Sequence, residues 1–311
     1  MMKDGIMKAL VTGSEGFAGK YLVNELITNG YSVVGADLSE TAITRYVDLL
    51  DTIQTKKIID EEKPDCIFHL VALADVGKSW KNPQLTVELN VVAAINVLEA
   101  VRQTMGNKTR IVVIGSSDQY GKLGNNGLSV TEDMDMKPVT PYAIAKRAQE
   151  EISRLYANNY GLQICMTRSF NHGGAGQKTG FLIPDFANGI VKVERGDQRE
   201  LLVGNLAARR DFTHIKDIVR AYRLIAEKGV SGEVYNVGSG QTHSVQEILN
   251  LMKERALCEI PVRQDPSRMR PSDTPVVCCN HDKLTHATGW EPQYSLSDIL
   301  EDTLTYYRSI D

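Results

Sequence analysis

The sequence predicts an α/β protein built on a doubly wound parallel sheet, with a smaller α/β part at its C-terminal end. Three observations lead there. Short apolar runs alternate with amphipathic helical stretches through the first half. A glycine-spaced turn joins the first run to the first helix. The regular alternation fades after about Ser169. Buried parallel strands read as continuous apolar runs because helices cover both faces of the sheet.

Taken in order, Lys8 to Val11 is the first strand, and Gly19 to Asn29 a helix with Leu22, Val23, Leu26 and Ile27 on one face. Tyr31 to Ala36 is the second strand. Ile53 to Glu62 reads as a helix that Pro64 ends. Cys66 to Leu70 is a buried strand, and Pro83 to Thr104 a long helix striped by Leu85, Leu89, Val92, Ile95 and Leu98. Arg110 to Ile114 (strand), Pro141 to Tyr160 (helix) and Leu162 to Arg168 (strand) complete the regular part. Beyond it come loops rich in Gly, Asn, Arg and Asp, helices at Ile218 to Glu227 and Val245 to Leu257, and one more sheet strand at Val234 to Val237. The domain change is expected near residue 169, dividing 1–168 from 169–311, with later segments threading back to the sheet.

The chain has 311 residues, enough for a full core, and a net charge of −4. That charge points to neither a nucleic-acid partner nor a membrane surface. No apolar stretch of the length a membrane span needs is apparent, and the N-terminal residues carry charges where a secretory signal needs an apolar core. None of Cys66, Cys165, Cys258, Cys278 and Cys279 has C-x-x-C spacing, so reduced thiols in a cytoplasmic protein are expected. The six histidines lack paired metal-ligand spacing, and no zinc site is expected.

After the first strand comes Gly13-Ser14-Glu15-Gly16-Phe17-Ala18-Gly19. Missing side chains at Gly13, Gly16 and Gly19 let a pyrophosphate approach the backbone, and the helix that follows offers N–H donors and a partial positive charge. Asp37 ends the next strand. A carboxylate there accepts both ribose hydroxyls of an adenosine and repels a 2′-phosphate, and no arginine follows until Arg45. NAD(H) is therefore favoured, with NADP(H) left open. Asp48 and Leu49, ahead of the next helix, are placed to bring a carboxylate near an adenine amino group; a solvated loop acid is the alternative.

Tyr142 and Lys146 form a Y-x-x-x-K at the start of a helix, where a spacing of four puts both on one face. A phenol with a pKa of about 10 is a poor base at neutral pH unless a nearby cation favours its anion. The strand before it ends in Gly115-Ser116-Ser117-Asp118, at the edge where such folds bind ligands. Ser116 can hydrogen-bond a reacting oxygen. Asp118 adds a carboxylate, either as an acid–base group or as a substrate hydrogen-bonder without that role.

With these motifs the chain resembles the extended short-chain dehydrogenase/reductases (the NAD-dependent epimerase/dehydratase family) that act on nucleotide sugars. The resemblance includes Phe68-His69-Leu70-Val71-Ala72, Asn90, Arg168-Ser169-Phe170-Asn171-His172, the stretch from Arg210 to Asp217, Tyr235 to Gly240 and Thr288-Gly289-Trp290. Within that group, Phe170-Asn171-His172 with Gly176-Gln177, and Arg268-Met269-Arg270-Pro271-Ser272-Asp273, are similar to the GDP-mannose branch. Its 4-dehydro-6-deoxy-mannose reductases come first and its 4,6-dehydratases second; a C4 epimerase or dehydrogenase is a further alternative.

The resemblance implies a Rossmann-type domain, a smaller nucleotide-sugar domain and a homodimer through the helices of Pro83 to Thr104 and Pro141 to Tyr160. It implies cofactor contacts from Phe17, Ala18, Ala72 and Asn90. It also implies a GDP-linked or other nucleotide-linked sugar held by Asn171, Gly204, Asn205, Arg210, Arg270 and Asp273. A guanidinium suits a diphosphate in bidentate fashion. Two departures stand out: position 118, and Arg168-Ser169-Phe170-Asn171 where Arg-Pro-Phe-Asn is usual in the superfamily. Aspartate at position 118 replaces the glutamate usual in the dehydratases, which favours the reductase. Against that, Asp37 suits NAD, whereas reductases often take the phosphorylated cofactor.

Overall fold

The computed structural model describes residues 6–121, 129–268 and 276–310. Strand Lys8–Thr12 (β1) leads into helix Phe17–Thr28 (α1) and strand Ser32–Asp37 (β2). The helix starts two residues earlier than its apolar pattern predicts, because Gly16 in extended conformation is its N-cap. A three-residue strand, Thr44–Tyr46 (β3), pairs outside β2; it is too short to leave a pattern in the sequence. Helix Thr52–Glu62 (α2) is capped by Asp51 and ends at Lys63 in the left-handed conformation, just before Pro64. Strand Cys66–His69 (β4) and the short helix Val76–Lys81 (α3) follow.

The long helix over Pro83–Thr104 forms in three parts: Pro83–Val87 (α4), a π turn at Glu88–Val92, and Ala93–Thr104 (α5). At the widened turn Asn90 Nδ2 donates to the Thr86 carbonyl at 2.8 Å, competing for the acceptor that the α pattern gives to its own N–H. By length and apolarity this run meets the measure of a membrane span, with mean hydropathy 1.3 over its window, contrary to the sequence expectation. Half of that window is buried inside the protein, where α5 packs on α2 and on helix Pro141–Tyr160.

Strand Arg110–Ser116 (β5) runs two residues past its apolar core and turns through a 3₁₀ segment, Ser117–Tyr120. A two-residue strand, Ser129–Val130 (β6), precedes helix Pro141–Tyr160 (α6), which has Thr140 as N-cap, proline at its first position and Gly161 in the left-handed conformation at its end. Strand Gln163–Ser169 (β7) closes the first half.

Past Ser169 the chain is more regular than its composition suggests. It forms Asn171–Gly173 (β8), Leu182–Glu194 (α7), Leu201–Val203 (β9), Arg209–His214 (β10), Ile215–Lys228 (α8), Val234–Val237 (β11), Thr242–Ser244 (β12), Val245–Glu254 (α9), Val262–Gln264 (β13), Val276–Cys279 (β14), Asp282–Thr288 (α10) and Leu296–Ser309 (α11). Three-residue strands carry too few residues to show a period of two, which is why this region reads as loop. Two buried aspartates tie it together. Asp211 accepts from Ser239, Gly240 and Cys279, and Asp217 accepts the backbone N–H groups of Gln293 and Tyr294.

The main sheet has seven strands in the order β11-β7-β5-β4-β1-β2-β3, every pairing parallel. Chain direction across the sheet reverses at β1, with β2 on one side and β4 on the other, which opens a crevice at their carboxyl ends. Alternate residues serve opposite faces. Ala9, Val11, Phe68, Val112 and Cys165 pack with Leu22 and Leu26 of α1 and Ile218, Tyr222 and Ile225 of α8. Leu10, Ile67, Ile111, Val113, Ile164 and Met166 pack with Ile58 and Ile59 of α2 and Val97, Leu98 and Val101 of α5. A third core joins α7, α9 and α11 through Phe186, Ile190, Ile248, Leu249, Ile299, Leu300 and Leu304.

Candidate active site

The glycine turn lies in the crevice. Gly13 has φ +73° and donates its N–H to the Ala36 carbonyl at 2.8 Å. A β-carbon on Gly13 would stand 3.1 Å from the Val71 nitrogen, so the Leu70–Ala72 segment after β4 presses on the turn from the other side. A β-carbon on Gly19 would run into the Gly13 carbonyl oxygen, a clash that only glycine avoids. The first turn of α1 thus closes onto the loop, and the first N–H groups of a helix have no partner within it. Phe17 stacks on the His172 ring, 6.2 Å between centroids, linking the turn to β8. Ala18 is half-buried beside it.

Asp37 ends β2 beside the glycine turn. Its carboxylate accepts from the Glu15 N–H at 3.0 Å and the Leu38 N–H at 2.7 Å. Arg45 points away, to Glu61 and Glu62. Asp48 caps its own loop by accepting from Leu50 N at 2.9 Å, and the Leu49 carbonyl accepts from Asn96 at 2.8 Å. Asn90, fully buried, leaves its Oδ1 without a protein partner, and so do the buried His69 Nε2 and Gln149 Nε2. A glycine-lined turn, an acid at the second strand end and unpaired buried polar atoms fit a dinucleotide.

At the carboxyl end of β5, Ser116 and Tyr142 are both buried, with the Ser116 hydroxyl near enough to act on the Tyr142 phenol. Burial raises the Tyr142 phenol, the Asp118 charge raises it further, and the Ser116 hydroxyl lowers it; the sum leaves it well above its usual value. Lys146 is buried one turn along α6. Its ammonium donates to the Ile114 carbonyl at 2.8 Å and to Gln149 Oε1 at 2.9 Å, and burial pushes it down to about 7. The ammonium is held between β5 and Gln149, one turn from Tyr142 on α6. Asp118 lies in the turn after Ser116, its N–H donating to Ser116 Oγ at 3.2 Å. His69, packed at the end of β4, bonds Thr12 through Nδ1 and is pushed down to about 3 by burial and the Lys146 charge.

The candidate sugar-nucleotide residues come from the second half. Asn171 pairs with Phe212 in the β8–β10 ladder and donates to the Asp211 carbonyl at 3.4 Å. Arg210 lies on β10, and its guanidinium donates to the Arg209 carbonyl at 2.7 Å. A β-carbon on Gly204 would meet the Arg268 carbonyl at 2.5 Å, and Asn205 Oδ1 accepts from Ala207 at 3.0 Å. Arg270 and Asp273 lie outside the described residues. Nearby is an open cleft of about 210 Å³, lined by Asn188 and Lys192 of α7, Gln198 and Arg268. Sequence reasoning passed over Asn188, Lys192 and Gln198. They sit among the apolar positions of a helix and in the loop after it, and only the packing of α7 against β9 turns them to one space.

The family model described as GDP-mannose 4,6 dehydratase matches residues 10–303. The chain is 30% identical over 305 residues to the GDP-6-deoxy-D-mannose reductase of Pseudomonas aeruginosa, covering 97% of each protein. Among solved structures it is similar to RMD from Pseudomonas aeruginosa complexed with NADPH, with TM-score 0.89, 30% identity, and coverage of 97% of this chain and 99% of that one. It is also similar to the UDP-glucose 4-epimerase of Thermus thermophilus in complex with NAD, with TM-score 0.87, 26% identity, and coverage of 97% and 99%. A seven-stranded parallel sheet, a glycine turn at its switch point and a match along almost the whole sequence lead to one conclusion: this chain belongs to the GDP-mannose 4,6-dehydratase family of nicotinamide-dependent short-chain dehydrogenase/reductases.

Proposed function

We propose that this protein reduces the C4 keto group of a GDP-linked 4-keto-6-deoxy-hexose. The observation that carries the reading is the buried cluster of Ser116, Tyr142 and Lys146 at the carboxyl end of β5. Its support from relatives is the 30% identity to a GDP-6-deoxy-D-mannose reductase across 97% of both chains. When bound, the nicotinamide supplies the hydride. The Ser116 hydroxyl orients the sugar oxygen. Tyr142, kept protonated at neutral pH by its raised pKa, gives that oxygen its proton. Lys146, one turn along the same helix, would support the phenol and hold the nicotinamide ribose. The 1–168 part would hold the cofactor. The 169–311 part would hold the sugar nucleotide, with Arg210 and Arg270 on the diphosphate and Asn171, Gly204, Asn205 and Asp273 around it.

Asp37 supports NAD(H), since its carboxylate repels a 2′-phosphate. The solved relatives carry NADPH in one case and NAD in another. A fluorescence titration in which NADPH binds more tightly than NADH removes this preference. Exposed Leu85, Val87 and Val92 on the π-interrupted helix and Ile144 and Leu155 on α6 support a homodimer through these helices. Light scattering of the purified protein tests it, and a monomer at micromolar concentration ends it.

A second reading, 4,6-dehydration of GDP-mannose, is favoured by one observation: the Asp118 charge acts on Tyr142 and so lies within reach of the same site. The two separate in one assay. The reductase reading expects NAD(P)H oxidation on adding a GDP-4-keto-6-deoxy sugar and no keto product from GDP-mannose alone. A keto product formed from GDP-mannose without added reductant overturns it in favour of dehydration.

A further inference from the structure

Behind the Ser116–Tyr142 pair lies a run of buried polar side chains. Gln119, in the 3₁₀ turn after Ser116, is fully buried. Its Oε1 accepts the Ser116 N–H at 2.9 Å, and its Nε2 donates to Glu150 Oε2 at 2.6 Å. Glu150 projects from α6, one helical turn beyond Lys146 and two beyond Tyr142. Arg168 on β7 closes on Glu150 with two prongs, Nε to Oε2 at 2.9 Å and Nη2 to Oε1 at 2.7 Å. Its remaining nitrogen donates to the Tyr120 hydroxyl at 2.9 Å, and Tyr120 donates to Asn236 of β11 at 2.7 Å. One continuous set of hydrogen bonds thus joins the amide of Ser116 to the helix that carries Tyr142, anchored on two strands of the sheet.

The space for this arrangement is built in. A β-carbon on Gly115 would run into the Thr167 carbonyl oxygen of β7 and also stand 2.7 Å from Gln119 Oε1, so the glycine before Ser116 leaves room both for the neighbouring strand and for the amide. A buried amide is costly unless both of its ends are satisfied, and here both are. An apolar side chain of similar size would fill the volume at lower risk. What the amide adds is direction. It fixes the Ser116 turn relative to α6, where a displacement of about 1 Å costs a reaction up to ~100-fold.

We infer that Gln119 is a positioning residue, holding the Ser116 hydroxyl in register with Tyr142 by bracketing the Ser116 turn to α6 through Glu150 and Arg168. The inference rests on the proposed roles of Ser116 and Tyr142.

The test measures kcat, sugar KM and cofactor affinity for Gln119→Leu and Gln119→Met, both apolar side chains of similar size. Each is expected to lower kcat about tenfold, with KM and cofactor affinity within about twofold. A protein of either kind with kcat within about twofold of the parent overturns the inference. So does one whose sugar KM and cofactor affinity worsen as much as its kcat, which a merely structural role predicts. Tyr142→Phe is assayed alongside. If it is as active as the parent, the site assignment itself fails; if it is inactive while Gln119→Leu runs at the parental rate, only the positioning role fails.

Discussion

The Gly13 carbonyl oxygen occupies the space that a β-carbon on Gly19 would need, so the cofactor turn and the first turn of α1 meet where no side chain fits. Gly19→Ala has to push the helix off the loop. We expect it to weaken NAD(H) binding by at least about tenfold, since the N–H groups facing a pyrophosphate move with the helix. Titration of NADH fluorescence checks this, and unchanged affinity would falsify the placement of the dinucleotide on this turn.

Tyr142→Phe keeps the ring and its packing but removes the proton. The expected loss in kcat is about 10²- to 10⁴-fold, the usual range for a positioned acid–base group, with NADH affinity within about twofold. Steady-state rates and a binding titration on the same preparation separate the two effects.

Asp118→Asn removes a charge that raises the Tyr142 phenol. The phenol's pKa should therefore fall, and steady-state rates with a 4-keto sugar read the consequence. Reduction of a 4-keto sugar should persist within about tenfold, because Tyr142 carries the proton. If the protein is a dehydratase, the same variant loses its elimination reaction instead.

Lys146 is buried with its ammonium lowered to about 7, against an unfolded value near 10.4. Between those values the unfolded chain binds more protons than the folded one, so this group makes stability rise with pH. Below about 7 the lysine is charged in both states and the full cost of burying it is present. Lys146→Met should raise the melting temperature by several degrees at pH 6 and by less at pH 9. A gain that is the same at both pH values contradicts the buried-ammonium picture.

Arg168 and Glu150 are buried together, and removing one partner leaves the other charged in the core. Glu150→Ala should cost about 3–5 kcal/mol in urea unfolding. Burial raises the Glu150 carboxyl, but Arg168 and Gln119 more than offset that and hold it below its usual value. Its contribution to stability is therefore present above the unfolded carboxyl pKa and is lost as pH falls through the lower folded one. The parent and Glu150→Ala should converge in stability toward acid.

Local chemistry made much of this protein legible in its sequence. A glycine at every third position, an acid ending the next strand and a tyrosine four residues before a lysine each act over a few residues, and so did the apolar runs that became β1, β2, β4, β5, β7 and β11. The π turn at Asn90 and the strands β8, β9, β12 and β13 left no such mark, because three-residue pairings and a widened helical turn are decided by what packs against them. Gln119 and Glu150 look like ordinary polar residues of a turn and a helix until the sheet brings Arg168 between them. The orientation of Lys146 toward Ile114 and Gln149 was likewise a matter of tertiary structure. Burial and hydrogen-bond partners set the charge state of a side chain, and both depend on residues far away in the chain.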